Sequence, residues 1–157
     1  MQVIVKMRYM KPGKDFIGVG VGAMIFNDKG ELLMLKRGAK AKNERGCWQI
    51  PGGAVDFGET RAQAIVREVR EELDVDIVVK HELLTIDHLI PNEAQHWVTT
   101  PFIVQIKMGQ MPEIQEPQKH EAMGWFALDK LPSPVAITTG FTLQSYRHHL
   151  KSSAQLG

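Results

Sequence analysis

Residues 53–75 read GAVDFGETRAQAIVREVREELDV, and this stretch carries the clearest pattern in the chain. It predicts a helix over residues 60–73, because apolar residues recur there at helical intervals along one stripe. Thr60 and Gln63 have the spacing of a capping box, which places the start of the helix at Thr60. The fold is therefore expected to be organised around one short amphipathic helix.

Three carboxylates of this helix share one face. At 100° per residue, Glu68, Glu71 and Glu72 fall within an arc of about 100° beside the apolar stripe. Like charges three or four residues apart cost a helix roughly 0.2–0.5 kcal/mol per pair, so a cation is expected beside them. Oxygen ligands with no thiolate or imidazole nearby in the sequence favour Mg²⁺, with Mn²⁺ as the alternative ion. An acidic face exposed to solvent is the other interpretation of the same pattern.

The spacing of these acids resembles the Nudix box, Gly-x5-Glu-x7-Arg-Glu-U-x-Glu-Glu-x-Gly-U, in which U is a bulky aliphatic residue. The matching positions are Gly53, Glu59, Arg67, Glu68, Val69, Glu71, Glu72 and Val75. The one departure is Asp74, which stands where the family usually has glycine. This position follows the helix and suits a left-handed backbone, which Asp tolerates less well than Gly. We therefore expect a small stability cost at Asp74 rather than lost chemistry.

The resemblance implies an α/β protein with the Nudix fold, an α/β/α sandwich around a mixed β-sheet, formed by residues 1–157 as a single domain. It also implies hydrolysis of a nucleoside diphosphate linked to another group, by attack of water on phosphorus with a divalent cation bound. The implied catalytic residues are Glu68, Glu71 and Glu72, and Glu68 is the candidate base. The implied metal ligands are the same three carboxylates and the carbonyl oxygen of Gly52.

Further roles follow from the same resemblance. Substrate contacts are implied for Arg37, Ile50 and Gly53, of which Arg37 would contact a phosphate and Ile50 a nucleobase. Arg67 and Glu59 are implied to be scaffolding, since the arginine orients acids of the box.

Residues outside the box are assigned less directly. Glu121 is the candidate for a further metal ligand, and Glu116 is the alternative. The six histidines have no metal-site spacing and are predicted to lie on the surface or in strands. Trp48 and Trp125 are predicted to belong to the core rather than to stack on a base. Cys47 is predicted to be a small buried residue.

The rest of the chain predicts mostly strands separated by turn-forming residues. Two apolar runs joined by a turn at residues 27–30 predict a β-hairpin of residues 16–26 with 31–36. The other predicted elements are a loop at 36–45, strands at 48–50, 75–79, 83–90, 96–107 and 124–128, and a helix at 142–150.

Composition excludes several classes of protein. The 157 residues fit one domain, and a hydrophobic fraction of 43% is enough for a core. A formal net charge of +1 offers no global field for binding a nucleic acid polymer or an anionic membrane. No apolar run approaches the roughly 18 residues of a membrane span, and residues 1–14 contain no secretory apolar core. With a single cysteine no intramolecular disulfide forms, so the cytoplasm is the expected compartment.

The expected substrate is a small-molecule nucleotide, specifically a nucleoside triphosphate cleaved to monophosphate and pyrophosphate. This expectation depends on the short chain, on Arg37, and on a similarity of residues 116–132 to family members acting on normal or oxidised nucleotides. ADP-ribose hydrolysis is the alternative, because Pro91 lies near a proline that ADP-ribose-cleaving members often carry. A nucleotide sensor without catalysis is the second alternative, although such modules typically lose carboxylates of the box. The resemblance to the family also makes a homodimer a possible assembly.

Overall fold

The computed structural model describes residues 9–155 and has the α/β architecture that the sequence predicts. The prediction about the amino-terminal residues falls largely on 1–8, which lie outside the described range. The strands are β1 Gly18–Ile25, β2 Leu32–Arg37, β3 Trp48–Gln49, β4 Gly52–Ala54, β5 Ile77–Glu82, β6 Ile86–Ile90, β7 Gln95–Ile106 and β8 His120–Phe126. The helices are α1 Arg61–Leu73 and α2 Ile137–Ala154, and a short 3₁₀ helix covers Pro91–Glu93.

The strands of the described range form two sheets. The larger sheet has the order β4-β1-β7-β5, with β6 also paired to β7, and it is mixed because β1 and β7 run parallel. The smaller sheet has the order β3-β2-β8 and is antiparallel throughout. The predicted mixed sheet is thus present, accompanied by a second sheet.

The predicted hairpin of residues 16–26 with 31–36 is wrong. The turn forms as expected, since the Asn27 side chain accepts hydrogen bonds from the backbone N–H groups of Lys29 and Glu31. However, β1 and β2 belong to different sheets, and only an isolated bridge between Phe26 and Leu32 links the two runs. Each strand already has two neighbours, β4 and β7 for β1, and β3 and β8 for β2, so neither has a free edge for the other.

The two helices cover opposite faces of the sheets. Alternate residues of a strand point to opposite faces. One set of β1 and β2 side chains packs against α1, and this layer includes Val21, Ala23, Ile25, Leu33, Leu35, Ala64, Ile65, Val69 and Leu73. The other set packs with α2, and this layer includes Met24, Leu32, Met34 and Leu143. Within residues 9–155, no helix is both long and apolar enough to cross a membrane.

Both ends of α1 follow the prediction. Thr60 caps the helix by accepting a hydrogen bond from the Gln63 N–H, and the Gln63 side chain accepts one from the Thr60 N–H. Asp74 ends the helix in the left-handed conformation, with φ 53° and ψ 38°. The helix therefore spans the predicted residues, and it packs against β4.

Candidate active site

Two glycines of β4 bring the backbone directly against the carboxylates of α1. The Gly52 N–H donates a hydrogen bond to Glu72 Oε2 at 3.0 Å. A Cβ atom on Gly53 would lie only 2.4 Å from the Glu68 carboxyl carbon. The absence of a side chain at Gly53 therefore allows the Glu68 carboxylate to approach the strand.

Glu68 and Glu72 are carboxylates in a poorly solvated setting. The Glu72 side chain is 7% exposed, and its burial raises its pKa to about 8, against the opposing effect of the Gly52 N–H. The Glu68 side chain is 14% exposed, and burial raises its pKa while Arg67 opposes the rise. Burying ionised carboxylates is costly unless a positive group compensates them, so this pair favours a bound cation.

Arg67 holds several groups of the site at once. Its Nη2 donates to Glu59 Oε1 at 2.6 Å and to the Ala54 carbonyl oxygen at 2.9 Å. Its Nη1 donates to Glu68 Oε1 at 2.9 Å and to Glu71 Oε2 at 3.3 Å. These contacts are those expected of a scaffolding arginine. The Glu71 side chain is 55% exposed, which leaves it the most solvated of the three box acids.

A third carboxylate and a histidine join Glu72 from outside α1. Glu116 and His120 each offer an atom that lies within 4.8 Å of the others and of a Glu72 oxygen. His120 Nε2 is 3.6 Å from Glu72 Oε1, and burial lowers the pKa of His120 to about 4, so the ring is neutral at pH 7. The preceding loop is anchored to the end of α1, since the Gln115 N–H donates to the Glu72 carbonyl oxygen at 2.9 Å.

The structure places Glu121 differently from the prediction. Its carboxylate forms an ion pair with Lys36 Nζ at 2.8 Å, and it is not part of the group formed by Glu72, Glu116 and His120. The pairing of β8 with β2 is irregular at Glu121, between the pairs Arg37–His120 and Lys36–Ala122, and Glu121 is exposed whereas His120 is buried. The alternative residue, Glu116, is the one that approaches Glu72.

His120 could not be recognised from the sequence, because the spacing among the histidines is not that of a metal site. The available signal was a histidine four residues after Glu116. Cys47 is a smaller correction, because it is half-buried rather than buried.

A cavity of about 230 Å³ adjoins the carboxylates. It lies between β1, β4 and the first turns of α2, and its lining includes Arg37, Gln49, Ile50, Gly53, Trp97 and Thr139. The three predicted substrate contacts, Arg37, Ile50 and Gly53, are thus brought together in one cavity. Because Gly52 and Gly53 line the cavity and also contact Glu72 and Glu68, the cavity and the acidic group share one wall.

Arg37 is held at the cavity by neutral groups. Its Nη1 donates to Gln49 Oε1 at 2.5 Å, its Nη2 to Asn43 Oδ1 at 2.5 Å, and its Nε to the Asn43 carbonyl oxygen at 2.9 Å. None of the described residues forms an ion pair with Arg37. Its positive charge is therefore available to an anionic ligand.

The tryptophans divide between core and cavity. Trp48 and Trp125 pack against the two core layers, as predicted. Trp97, which the sequence analysis left unassigned, lines the cavity. Its ring lies against Gly18, and its Nε1 donates to Gln95 Oε1 at 2.9 Å, so its orientation is fixed.

The donor set fits a hard divalent cation. Carboxylate oxygens of Glu72 and Glu116 and a nitrogen of the uncharged His120 ring lie within 4.8 Å of one another and are acceptors once the acids are ionised. The negative charge of Glu68 is close enough to raise the pKa of Glu72 further. Acceptors that face one another repel unless a cation lies among them. Oxygen-rich sets of this kind suit Mg²⁺ or Mn²⁺.

Comparison with known proteins identifies the class. The model of the NUDIX domain family matches residues 17–143, and the chain belongs to this family. An RNA pyrophosphohydrolase of Gluconacetobacter diazotrophicus is 30% identical over 156 residues, covering 86% of this chain and 90% of that protein. An ADP-ribose pyrophosphatase of Methanocaldococcus jannaschii is 30% identical over 131 residues, covering 82% and 74%. Among solved structures, a MutT NUDIX hydrolase from Burkholderia pseudomallei has a TM-score of 0.71 and 39% identity, covering 82% and 96%.

Proposed function

We propose that this Nudix hydrolase cleaves a nucleoside triphosphate to a monophosphate and pyrophosphate, with Mg²⁺ or Mn²⁺ bound. The observation that carries the proposal is the wall shared by the Arg37 cavity and the carboxylates, formed by Gly52 and Gly53. A nucleotide with its base in the cavity has its phosphates directed along this wall.

The cavity volume supports a substrate with a single base. Pockets for drug-sized ligands are roughly 300–1,000 Å³. This cavity of about 230 Å³ is open to solvent on one side, so it can receive one base while the rest of the ligand extends outside it. In the proposed arrangement, the phosphates of the nucleotide extend past Gly53 towards Glu68.

The proposed roles follow from the contacts. Glu68, Glu71 and Glu72, with the Gly52 carbonyl oxygen, are the proposed cation ligands, and Glu116 takes the place predicted for Glu121. When bound, the cation supplies a lowered pKa for the attacking water and neutralises charge on the phosphate oxygens.

The protein's own groups then position the reactants. Glu68 is also the proposed base for the attacking water, and in the metal-free protein burial raises its pKa while Arg67 opposes the rise. Arg67 restricts the Glu68 carboxylate to one position. Arg37 is the proposed contact of a substrate phosphate.

ADP-ribose hydrolysis is the second candidate. It is favoured by the relative named ADP-ribose pyrophosphatase and by Pro91, which begins the 3₁₀ helix directly after the cavity residue Ile90. A sensor without catalysis is disfavoured because all three box acids are present. Cytoplasmic location and homodimerisation stay predictions, to be tested by cell fractionation and by light scattering.

The test is a substrate panel with either Mg²⁺ or Mn²⁺. It contains NTPs, dNTPs, oxidised dGTP, ADP-ribose, dinucleoside polyphosphates and an RNA oligonucleotide with a 5′-triphosphate, and the products are separated by chromatography. We expect monophosphate and pyrophosphate from a free triphosphate, and loss of this turnover in Glu72→Gln. Turnover of ADP-ribose or of RNA alone would refute the substrate assignment, and no turnover at all would favour the sensor.

A further inference from the structure

His120 lies beside the proposed hydrolytic carboxylates but has no counterpart in the pattern of acids that the sequence displays. It is the first residue of β8, it is only 4% exposed, and its ring faces Glu72 and Glu116. An imidazole in this position changes the chemical character of the cation site, because it adds a nitrogen ligand to a set of oxygens.

The protonated nitrogen of the His120 ring can be assigned from its neighbours. The Arg37 guanidinium is only a donor, and its Nη1 lies 2.5 Å from Gln49 Oε1. This contact fixes the Gln49 amide so that its Nε2, also only a donor, lies 3.3 Å from His120 Nε2. Donation by Gln49 Nε2 makes His120 Nε2 the acceptor and puts the proton of the neutral ring on Nδ1, a buried atom that has no hydrogen-bond partner among the described residues. The nitrogen with the lone pair is thus the one that lies 3.6 Å from Glu72 Oε1.

The contact with Gln49 is at most a weak hydrogen bond to the lone pair of His120 Nε2. Its length of 3.3 Å exceeds the usual range of about 2.7–3.2 Å for hydrogen bonds donated by nitrogen. Glu72 Oε1 is no donor when ionised, and Glu116 binds Lys119 Nζ at 2.7 Å on the solvent side of the group. A nitrogen lone pair and two carboxylates therefore converge within 4.8 Å of one another.

We propose that Glu72, Glu116 and His120 form a mixed oxygen–nitrogen site that binds a first-row transition ion such as Mn²⁺ in preference to Mg²⁺. Imidazole is a good ligand for transition ions, whereas Mg²⁺ is bound in proteins almost entirely by oxygen and retains several waters. The inference rests on the proposed function in that Glu72 and Glu116 are shared with the proposed hydrolytic cation site. It predicts that a protein nitrogen is directly bonded to the ion.

Pulsed EPR of the Mn²⁺-loaded protein, without nucleotide, tests this directly. We expect a ¹⁴N hyperfine coupling in the wild type, and its replacement by a ¹⁵N coupling when histidine is supplied ¹⁵N-labelled. This measurement requires no variant, so it does not depend on any substitution being tolerated. Absence of the nitrogen coupling from fully loaded wild-type protein would overturn the proposal.

Binding of the two ions to variants provides the second measurement. His120→Asn replaces the ring nitrogen by an amide oxygen, and His148→Asn, at an exposed position on α2, is the matched control. For His120→Asn we expect Mn²⁺ affinity to fall about 10- to 100-fold and Mg²⁺ affinity to change less than about threefold. Equal losses for both ions, or losses in His148→Asn, would contradict the assignment.

Failure of this inference can be told apart from failure of the proposed function. A nitrogen coupling in a protein that turns over no member of the substrate panel would refute the hydrolase and retain the mixed site. Triphosphate turnover by a protein with no nitrogen coupling would retain the hydrolase and refute the mixed site.

Discussion

Replacing Gly53 by alanine puts a methyl group directly against the Glu68 carboxylate. The added Cβ would lie 2.4 Å from Cδ and Oε1 of Glu68 and 2.5 Å from Oε2, whereas ordinary van der Waals contact begins at 3.4 Å. Gly53 does not have a left-handed backbone, so alanine is compatible with β4 itself. The substitution therefore acts on the position of the carboxylate rather than on the strand.

The size of the effect follows from this distance. Glu68 must retreat by about 1 Å to restore normal contact, and Arg67, which is bonded to Glu59 and Ala54 as well, resists that movement. Misplacement of a reacting group by 1 Å can cost about 10²-fold in rate, which is about 2.7 kcal/mol of transition-state stabilisation. We expect kcat of Gly53→Ala to fall about 100-fold.

The assay compares steady-state rates on the best triphosphate of the panel with thermal unfolding of the same samples. Gly140→Ala is the matched control, because Gly140 lies in α2 and the added methyl group would meet no atom within 4 Å beyond the nearby backbone of its own helix and its chain neighbours. Alanine is favoured over glycine inside a helix by about 1 kcal/mol, so the control should unfold at a slightly higher temperature with unchanged kinetics. Activity of Gly53→Ala within threefold of the wild type would refute the close approach of Glu68 to β4.

Three further outcomes are expected. In the presence of EDTA, the free energy of unfolding should fall as the pH rises from 6.5 to 8. Because the pKa of Glu72 is raised, the native state retains a proton there that the unfolded state has already released. The lowered pKa of His120 changes the free energy of unfolding mainly at lower pH. Glu72→Gln should flatten the dependence of stability on pH in thermal melts. An unchanged pH dependence would show that another group causes it. Arg37→Ala should raise KM for a triphosphate about tenfold with kcat retained, and an unaltered KM in initial-rate assays would remove Arg37 from the substrate site. Asp74→Gly should stabilise the protein by about 1 kcal/mol in urea unfolding, because the left-handed φ of 53° suits glycine better; destabilisation would show that the Asp74 side chain contributes a contact.

The helix and its acids could be predicted because the signals are local. Thr60 and Gln63 cap each other across three residues, and the left-handed position of Asp74 follows from where α1 ends. Spacing along one helix likewise determines that Glu68 and Glu72 share a face. The family assignment rests on this same short stretch and agrees with the match over residues 17–143.

The partners of the strands could not be predicted in this way. Tight turns usually join paired strands, and this expectation failed for β1 and β2 because each is a central strand of its own sheet. Strand ends were also displaced, since β8 begins at His120, which pairs with Arg37 of β2, and not at the predicted residue 124. Pairing depends on all the strands together, so no single segment contains the information.

The local sequence by itself therefore determined the capped helix, its row of carboxylates and the family of the chain. Each of these features depends on residues that lie close together in the sequence. Only the tertiary structure decided that Glu116 rather than Glu121 approaches Glu72, that His120 joins them, and that Arg37 and Trp97 line one cavity. These contacts join segments far apart in sequence, and packing of two sheets between two helices is what brings their side chains within a few ångströms.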